Sequence, residues 1–355
     1  MSEARPARSR RGRGLRVGLG VAITAATLAL ALRDVDYRTL LRDMGRANLP
    51  LLVALSVPLH AAMLWVRALR WRHLTDAVAP VGRGALFRAT SVGALANNVL
   101  PLRIGEVVRA YYLARETPAS AGALFGTVVL ERGIDGLVVL AMALAIFGAR
   151  GSADAGVLAV GLPLLIAALL PFGGVLWLRI APEQVVRIAR RVTSLVVGER
   201  GGDALERIVR HVADGLGSMQ GGRHLWWVAW HSFWIWTLLG IGPFLVAMTA
   251  LGIDLGSPLR QASAAFVTLT AVGIAVALPS APGFLGPYHL AAREALRRFG
   301  VTEELALAVG TLSHALFWAT STGIGLAVLR FRGNRLDELA ARAADADQVP
   351  SSERR

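Results

Sequence analysis

Long apolar stretches recur at about 17–32, 49–66, 120–148, 156–178, 225–250, 261–278 and 304–329. Each predicts a transmembrane helix, because roughly 20 residues at about 1.5 Å each cross a hydrocarbon core of about 30 Å. The first is short and needs help from flanking side chains. Gly14 and Gly18 at its start are spaced for close helix contact.

Two further apolar segments are broken. Between Arg88 and Arg103 lie fourteen uncharged residues, which as a helix reach about 21 Å and fall short of the core. Asn97, Asn98 and Pro101 are expected to interrupt a helix there, since proline removes a backbone donor and restricts its predecessor. A hairpin re-entering from the cytoplasm fits this pattern. The second segment, Pro279 to His289, holds Pro279, Pro282, Pro287, Gly283 and Gly286 directly after an apolar run, so it is no plain helix.

The two breaks share a pattern. Pro101-x-x-x-Gly105 leads into 106–116 and Pro282-x-x-x-Gly286 leads into 287–294, with Ala-Arg-Glu at 114–116 and again at 292–294. If 261–300 returns to the outer face, the hairpins enter from opposite sides as an inverted repeat. Arg293, Arg297 and Arg298 would then lie outside, against the charge bias. The fold class expected is all-α: a polytopic transmembrane helix bundle with two re-entrant helices. The domain layout is a cytoplasmic basic tail over 1–16, a membrane domain over 17–332 and a disordered cytoplasmic tail over 333–355. Within the membrane domain, 179–224 forms cytoplasmic interfacial helices, with Leu205, Ile208, Val209, Val212 and Leu216 recurring at helical spacing.

Composition agrees with a membrane protein, at 54% hydrophobic residues and a mean hydropathy of +0.52. Without cysteine there is neither a disulfide framework nor a thiolate metal site. The formal charge of +14 comes from arginine alone, since the chain has no lysine. These arginines sit in tails and short loops, the distribution of cytoplasmic segments facing anionic lipid rather than of a nucleic-acid surface. Clusters at the N-terminus, 67–72, 103–115, 179–223 and 330–335 place both termini in the cytoplasm of a bacterial-type inner membrane. No cleavage site follows the first run, so it is read as a retained span.

Ionisable residues within apolar sequence mark the candidate chemistry, because each costs roughly 2.5–3.5 kcal/mol near a bilayer centre. Thr127, Glu131 and Asp135 fall at i, i+4 positions of one helix, with Arg132 three residues before Asp135. Two readings stand: an internal salt bridge that holds helices together, or the wall of a hydrated cavity for a charged headgroup or a proton. Arg103, Glu106 and Arg109 recur every three residues past Pro101, at a half-helix start whose free donors and dipole suit a phosphate. Ordinary anchoring arginines explain the same pattern. Asn98 is a ligand contact or a cap of the break. His289 is a ligand contact or a satisfied buried histidine; His314 and Trp318 read as core. Trp226, Trp227, Trp230, Trp234 and Trp236 read as an interfacial aromatic belt. No nucleophile motif, zinc spacing, Walker loop or dinucleotide fingerprint is present, so neither metal nor cofactor is expected.

On Asn98-Val-Leu-Pro-Leu-Arg-Ile-Gly-Glu106, Arg109, Glu131-Arg132-Gly-Ile-Asp135 and Pro282-Gly-Phe-Leu-Gly286, the chain resembles the transmembrane region of lysylphosphatidylglycerol synthases, a flippase-like family. The resemblance implies an inner-membrane protein that binds or translocates lipid headgroups, with these polar residues facing the lipid path. It departs from the family at His289, where a glutamate is usual, and near His314, where an arginine is usual. Synthase activity belongs to members fused to a soluble transfer domain and is not implied here. The expectation is therefore a lipid translocase, not an enzyme, acting on an anionic phospholipid or polyprenyl phosphate. The alternative is a membrane enzyme or lipid-presenting subunit in glycolipid or lipid-modifying metabolism. A membrane-enzyme partner or a homo-oligomer fits either.

Overall fold

The computed structural model describes residues 8–76, 78–100, 104–148, 181–197, 199, 203, 206, 210, 222–277, 280–332 and 336. Every regular element among them is helical. In chain order these are α1 (Arg8–Leu32), α2 (Tyr37–Arg46), α3 (Leu49–Thr75), α4 (Arg83–Val99), α5 (Gly105–Ala114), α6 (Ala121–Gly148), α7 (Pro182–Val197), α8 (Gly222–Trp236), α9 (Leu238–Ala250), α10 (Pro258–Ala275), α11 (Pro287–Arg297) and α12 (Glu303–Arg332).

The stretches Leu49–Thr75, Trp226–Ala250 and Glu303–Arg332 are long and apolar enough to cross a bilayer. The expected span over 156–178 lies outside the described residues, as do Pro101, Arg103 and the apolar positions from Leu205 to Leu216. The expected short first span is instead half of a bent pair. Gly18–Leu32 meets Tyr37–Arg46 at 85°, and together they are apolar enough to count as one span. The bend is fixed by Asp36, whose carboxylate accepts the Arg38 N–H at 3.0 Å and the Thr39 hydroxyl at 2.6 Å, capping α2. Asn97 and Asn98 do not interrupt α4; they lie inside it, and the Leu100 N–H still reaches the Ala96 carbonyl at 2.8 Å. Two asparagines cost a helix little when tertiary bonds hold them, so α4 runs on to Val99.

The chain forms two compact units. The first comprises Met1–Ala61, Leu95–Ile104 and Thr237–Gly323. In it α9 packs on α10, α10 on α11 and α1 on α11, around Leu52, Phe244, Met248, Ala264, Ala292 and Leu296. Close contact on α1 is made by Gly20, which lies against the Ser280 backbone, while Gly18 has open space around it. The second break is non-helical as expected: Gly283 and Phe284 take positive φ of 73° and 60°, and α11 starts with Pro287 at its first turn. Arg293 is buried and donates to the Leu30 and Ala31 carbonyls at 2.6 and 3.0 Å while pairing with Glu303. It satisfies the last carbonyls of α1, which explains an arginine here without any appeal to membrane sidedness.

The second unit comprises Ala62–Ala94, Gly105–Trp236 and Ile324–Arg355. Here α5 packs along α6, and α8 touches α6. Trp71, Leu74, Leu86, Leu113 and Leu124 are fully buried. Outside its apolar part, α7 carries charges that pair across the segment after it, Arg190 with Asp203 at 3.1 Å and Arg210 with Glu183 at 2.8 Å. These exposed pairs are worth little individually.

Candidate functional site

The second unit gathers charge from three helices, with neutral polar partners from a fourth. The i, i+4 stripe places Thr127, Glu131 and Asp135 on one face of α6. Arg67, Arg70 and Trp71 come from the end of α3, Glu106 and Arg109 from α5, Ser232 and Trp236 from α8. α5 approaches closely because α4 offers Gly93: a Cβ there would stand 2.8 Å from the Arg109 Cβ and 2.9 Å from the Gly105 carbonyl.

At the centre, Arg70 and Glu131 are both 0% exposed and bonded at 2.8 Å. Arg70 also reaches Asp135 at 2.8 Å and donates to Ser232 at 3.1 Å. Arg109 pairs with Glu131 at 2.8 Å and with Glu106 at 2.9 Å, and its guanidinium lies 4.8 Å from the Trp71 ring centroid. The Trp236 indole donates to Asp135 at 3.2 Å and the Trp71 indole to Thr127 at 2.8 Å. Ions so deeply buried each cost several kcal/mol in desolvation, offset only by geometry of this kind.

The rim is different. Arg132 is 34% exposed and makes longer contacts to Asp135 (3.2 Å), Glu131 (3.6 Å) and Glu106 (3.8 Å). Arg67 is 22% exposed and 3.7 Å from Asp135. Arg67, Arg70, Arg109 and Arg132 thus face Glu106, Glu131 and Asp135. Among the described residues the cluster carries a net positive charge, and its two least tightly held cations are the accessible ones.

Of the residues expected at the site, Glu106, Arg109, Thr127, Glu131, Arg132 and Asp135 are brought together, while Arg103 lies outside the described residues. Arg67, Arg70, Trp71, Ser232 and Trp236 were not foreseen. The first two read as anchoring arginines because they follow an apolar span. The available signal was their i, i+3 spacing, together with the counter-ions that Glu131 and Asp135 require. Trp236 departs from the expected aromatic belt, whose other members Trp226 and Trp230 are exposed.

Asn98 and His289 belong to the first unit, each in a polar set of its own. The Asn98 amide donates to Ser321 at 2.8 Å and Thr322 at 3.0 Å, and its carbonyl faces the Trp318 indole at 3.5 Å. That set holds the Gly283 turn against Trp318. Trp318 itself is 41% exposed rather than core, with one edge of its ring against that turn. Asn98→Leu is expected to destabilise the protein by about 1–3 kcal/mol through the lost buried amide bonds, read as a lower melting temperature in detergent. His289 is buried with its ring centroid 5.0 Å from that of His314, and Tyr288 stacks on His314 at 4.5 Å. Among the described residues the His289 Nδ1 and His314 Nε2 have no hydrogen-bond partner.

The family described as lysylphosphatidylglycerol synthase TM region matches residues 17–325. The chain belongs to this family. Among curated relatives, the glycosyltransferase AglD of Haloferax volcanii is 27% identical over 340 residues, covering 87% of this chain and 53% of AglD. A UPF0104 membrane protein of Methanothermobacter thermautotrophicus is 27% identical over 332 residues, covering 90% of this chain and 94% of that protein. The chain therefore spans about half the length of the first relative and nearly all of the second. No solved structure matches it. With its long apolar helices, this lysylphosphatidylglycerol synthase TM region protein is a multi-pass membrane protein.

Proposed function

We propose that the protein is a lipid translocase whose second unit binds the anionic headgroup of a phospholipid or polyprenyl phosphate. The observation that carries this reading is the imbalance of the cluster: four arginines against three carboxylates, with the excess charge on the half-exposed Arg132 and Arg67. A planar guanidinium with donors to spare donates to phosphate oxygens bidentately. The buried Arg70–Glu131–Arg109 core would hold those rim cations in place while lipid tails stay in the bilayer.

Reconstituted protein is expected to speed exchange of labelled anionic lipid between leaflets. Arg132→Gln should slow it about tenfold or more, since a charge-assisted hydrogen bond contributes about 1.5–3 kcal/mol. Exchange no faster than in protein-free vesicles would sink the proposal.

The match to AglD supports a second reading, in which the same headgroup site presents a lipid to glycolipid metabolism or belongs to an enzyme of that kind. Carboxylates such as Glu106 would then serve as acid or base. A new lipid product formed from a radiolabelled donor by the purified protein, without leaflet exchange, would favour it.

A further inference from the structure

Where α3 ends and α8 begins, a set of side chains outside the charged cluster converges. His73 lies in the last turn of α3 and Asp76 follows three residues later, a spacing that keeps both on one side of the helix end. His224 comes from the first turn of α8. One ligand atom from each of these three residues lies within 4.8 Å of the others.

We propose that His73, Asp76 and His224 bind a divalent transition-metal ion of the zinc class. Two imidazoles and one carboxylate match the ligand set zinc takes, whereas magnesium and calcium prefer oxygen alone. Bonds of about 2.0–2.1 Å place tetrahedral donors roughly 3.3 Å apart. The observed spread needs an inward closure of about 1.5 Å or less, which imidazole and carboxylate torsions supply. Arg72 stands 3.8 Å from one Asp76 oxygen.

The surroundings are built for imidazole ligands. The Trp227 ring stacks on His73, 7° from parallel at 6.1 Å. The His231 ring centroid lies 5.3 Å from that of His73, and its Nδ1 is 2.6 Å from the Trp227 carbonyl. A carbonyl only accepts, so Nδ1 donates in that bond and holds the ring in place. Three protein ligands leave a fourth position for water. The ion would tie the end of α3 to the start of α8. His73 is three residues from Arg70, and His231 adjoins Ser232, so this clamp would fix the spacing of two helices that build the charged cluster.

The test uses full-length protein in detergent, with any affinity tag removed and metal stripped by a chelator. Titration with Zn2+ by calorimetry should show one saturable equivalent, and Co2+ should give the visible absorption of a tetrahedral site. His73→Ala and His224→Ala should each weaken binding more than about a hundredfold, beyond what loss of an outer-shell partner costs. His314→Ala, a histidine of the first unit, should leave it unchanged. Zn2+ should raise the melting temperature of the wild type and of His314→Ala, but not of the two ligand variants, whose metal-free melting temperatures report whether they fold. Absence of saturable binding, or wild-type affinity in a folded His73→Ala or His224→Ala protein, would overturn the proposal.

Discussion

Arg70→Met is expected to cost about 3–5 kcal/mol of stability, the largest effect of any single substitution in the charged cluster. Removing one member of a buried ion pair leaves its partners charged and desolvated, and Arg70 serves two carboxylates, Glu131 and Asp135, at 2.8 Å each. Glu131 keeps Arg109, but Asp135 is left with the looser Arg132 and Arg67. The aliphatic part of the site is preserved by methionine, so the loss reports charge rather than volume. Adding Asp135→Asn to Arg70→Met should recover part of it, because removing both partners is milder than stranding one. The readout is the midpoint of detergent-induced unfolding for the two single variants and the double. A double variant as unstable as the sum of the singles would mean that Arg70 acts through packing alone.

Gly286→Ala should be comparably severe for a different reason. Gly286 has φ 88° and ψ −75°, a backbone state that costs an alanine about 1–3 kcal/mol. A Cβ there would also stand 2.7 Å from the Thr24 carbonyl oxygen and collide with the Thr27 hydroxyl. Carbonyl and helix cannot yield as a flexible side chain can, so overpacking adds about another 1–3 kcal/mol. The expected result is a sharply lowered melting temperature, with α11 losing its seat on α1. Gly18→Ala, with open space around the site, serves as the control and should be close to neutral. If Gly286→Ala melts like the control, the turn is not the rigid element described.

The site was partly legible before any coordinates. The i, i+4 stripe on α6 and the i, i+3 spacing on α5 follow from helix geometry alone, so Glu106, Arg109, Glu131 and Asp135 could be named as partners in search of charge. The second break was legible because proline and glycine act locally on the backbone. The first was expected to involve Asn97, Asn98 and Pro101, but the two asparagines stay helical, their weak helix propensity overridden by bonds from Asn98 to Ser321 and Thr322. The bend between α1 and α2 was missed because a capping aspartate between two helices has no apolar gap to mark it. Arg70 was missed because an arginine just past an apolar span has the same local context whether it faces lipid headgroups or a buried carboxylate.

The sequence by itself determined that the chain is helical and membrane-embedded, and which α6 face is polar, because hydropathy, proline chemistry and helical period act over a few residues. Which arginines neutralise that face, which asparagine is packed away and which histidines and aspartate converge at the α3 end were decided only by tertiary structure. Those pairings join positions far apart in the chain, and no local physical rule relates residues that meet only after the helices have packed.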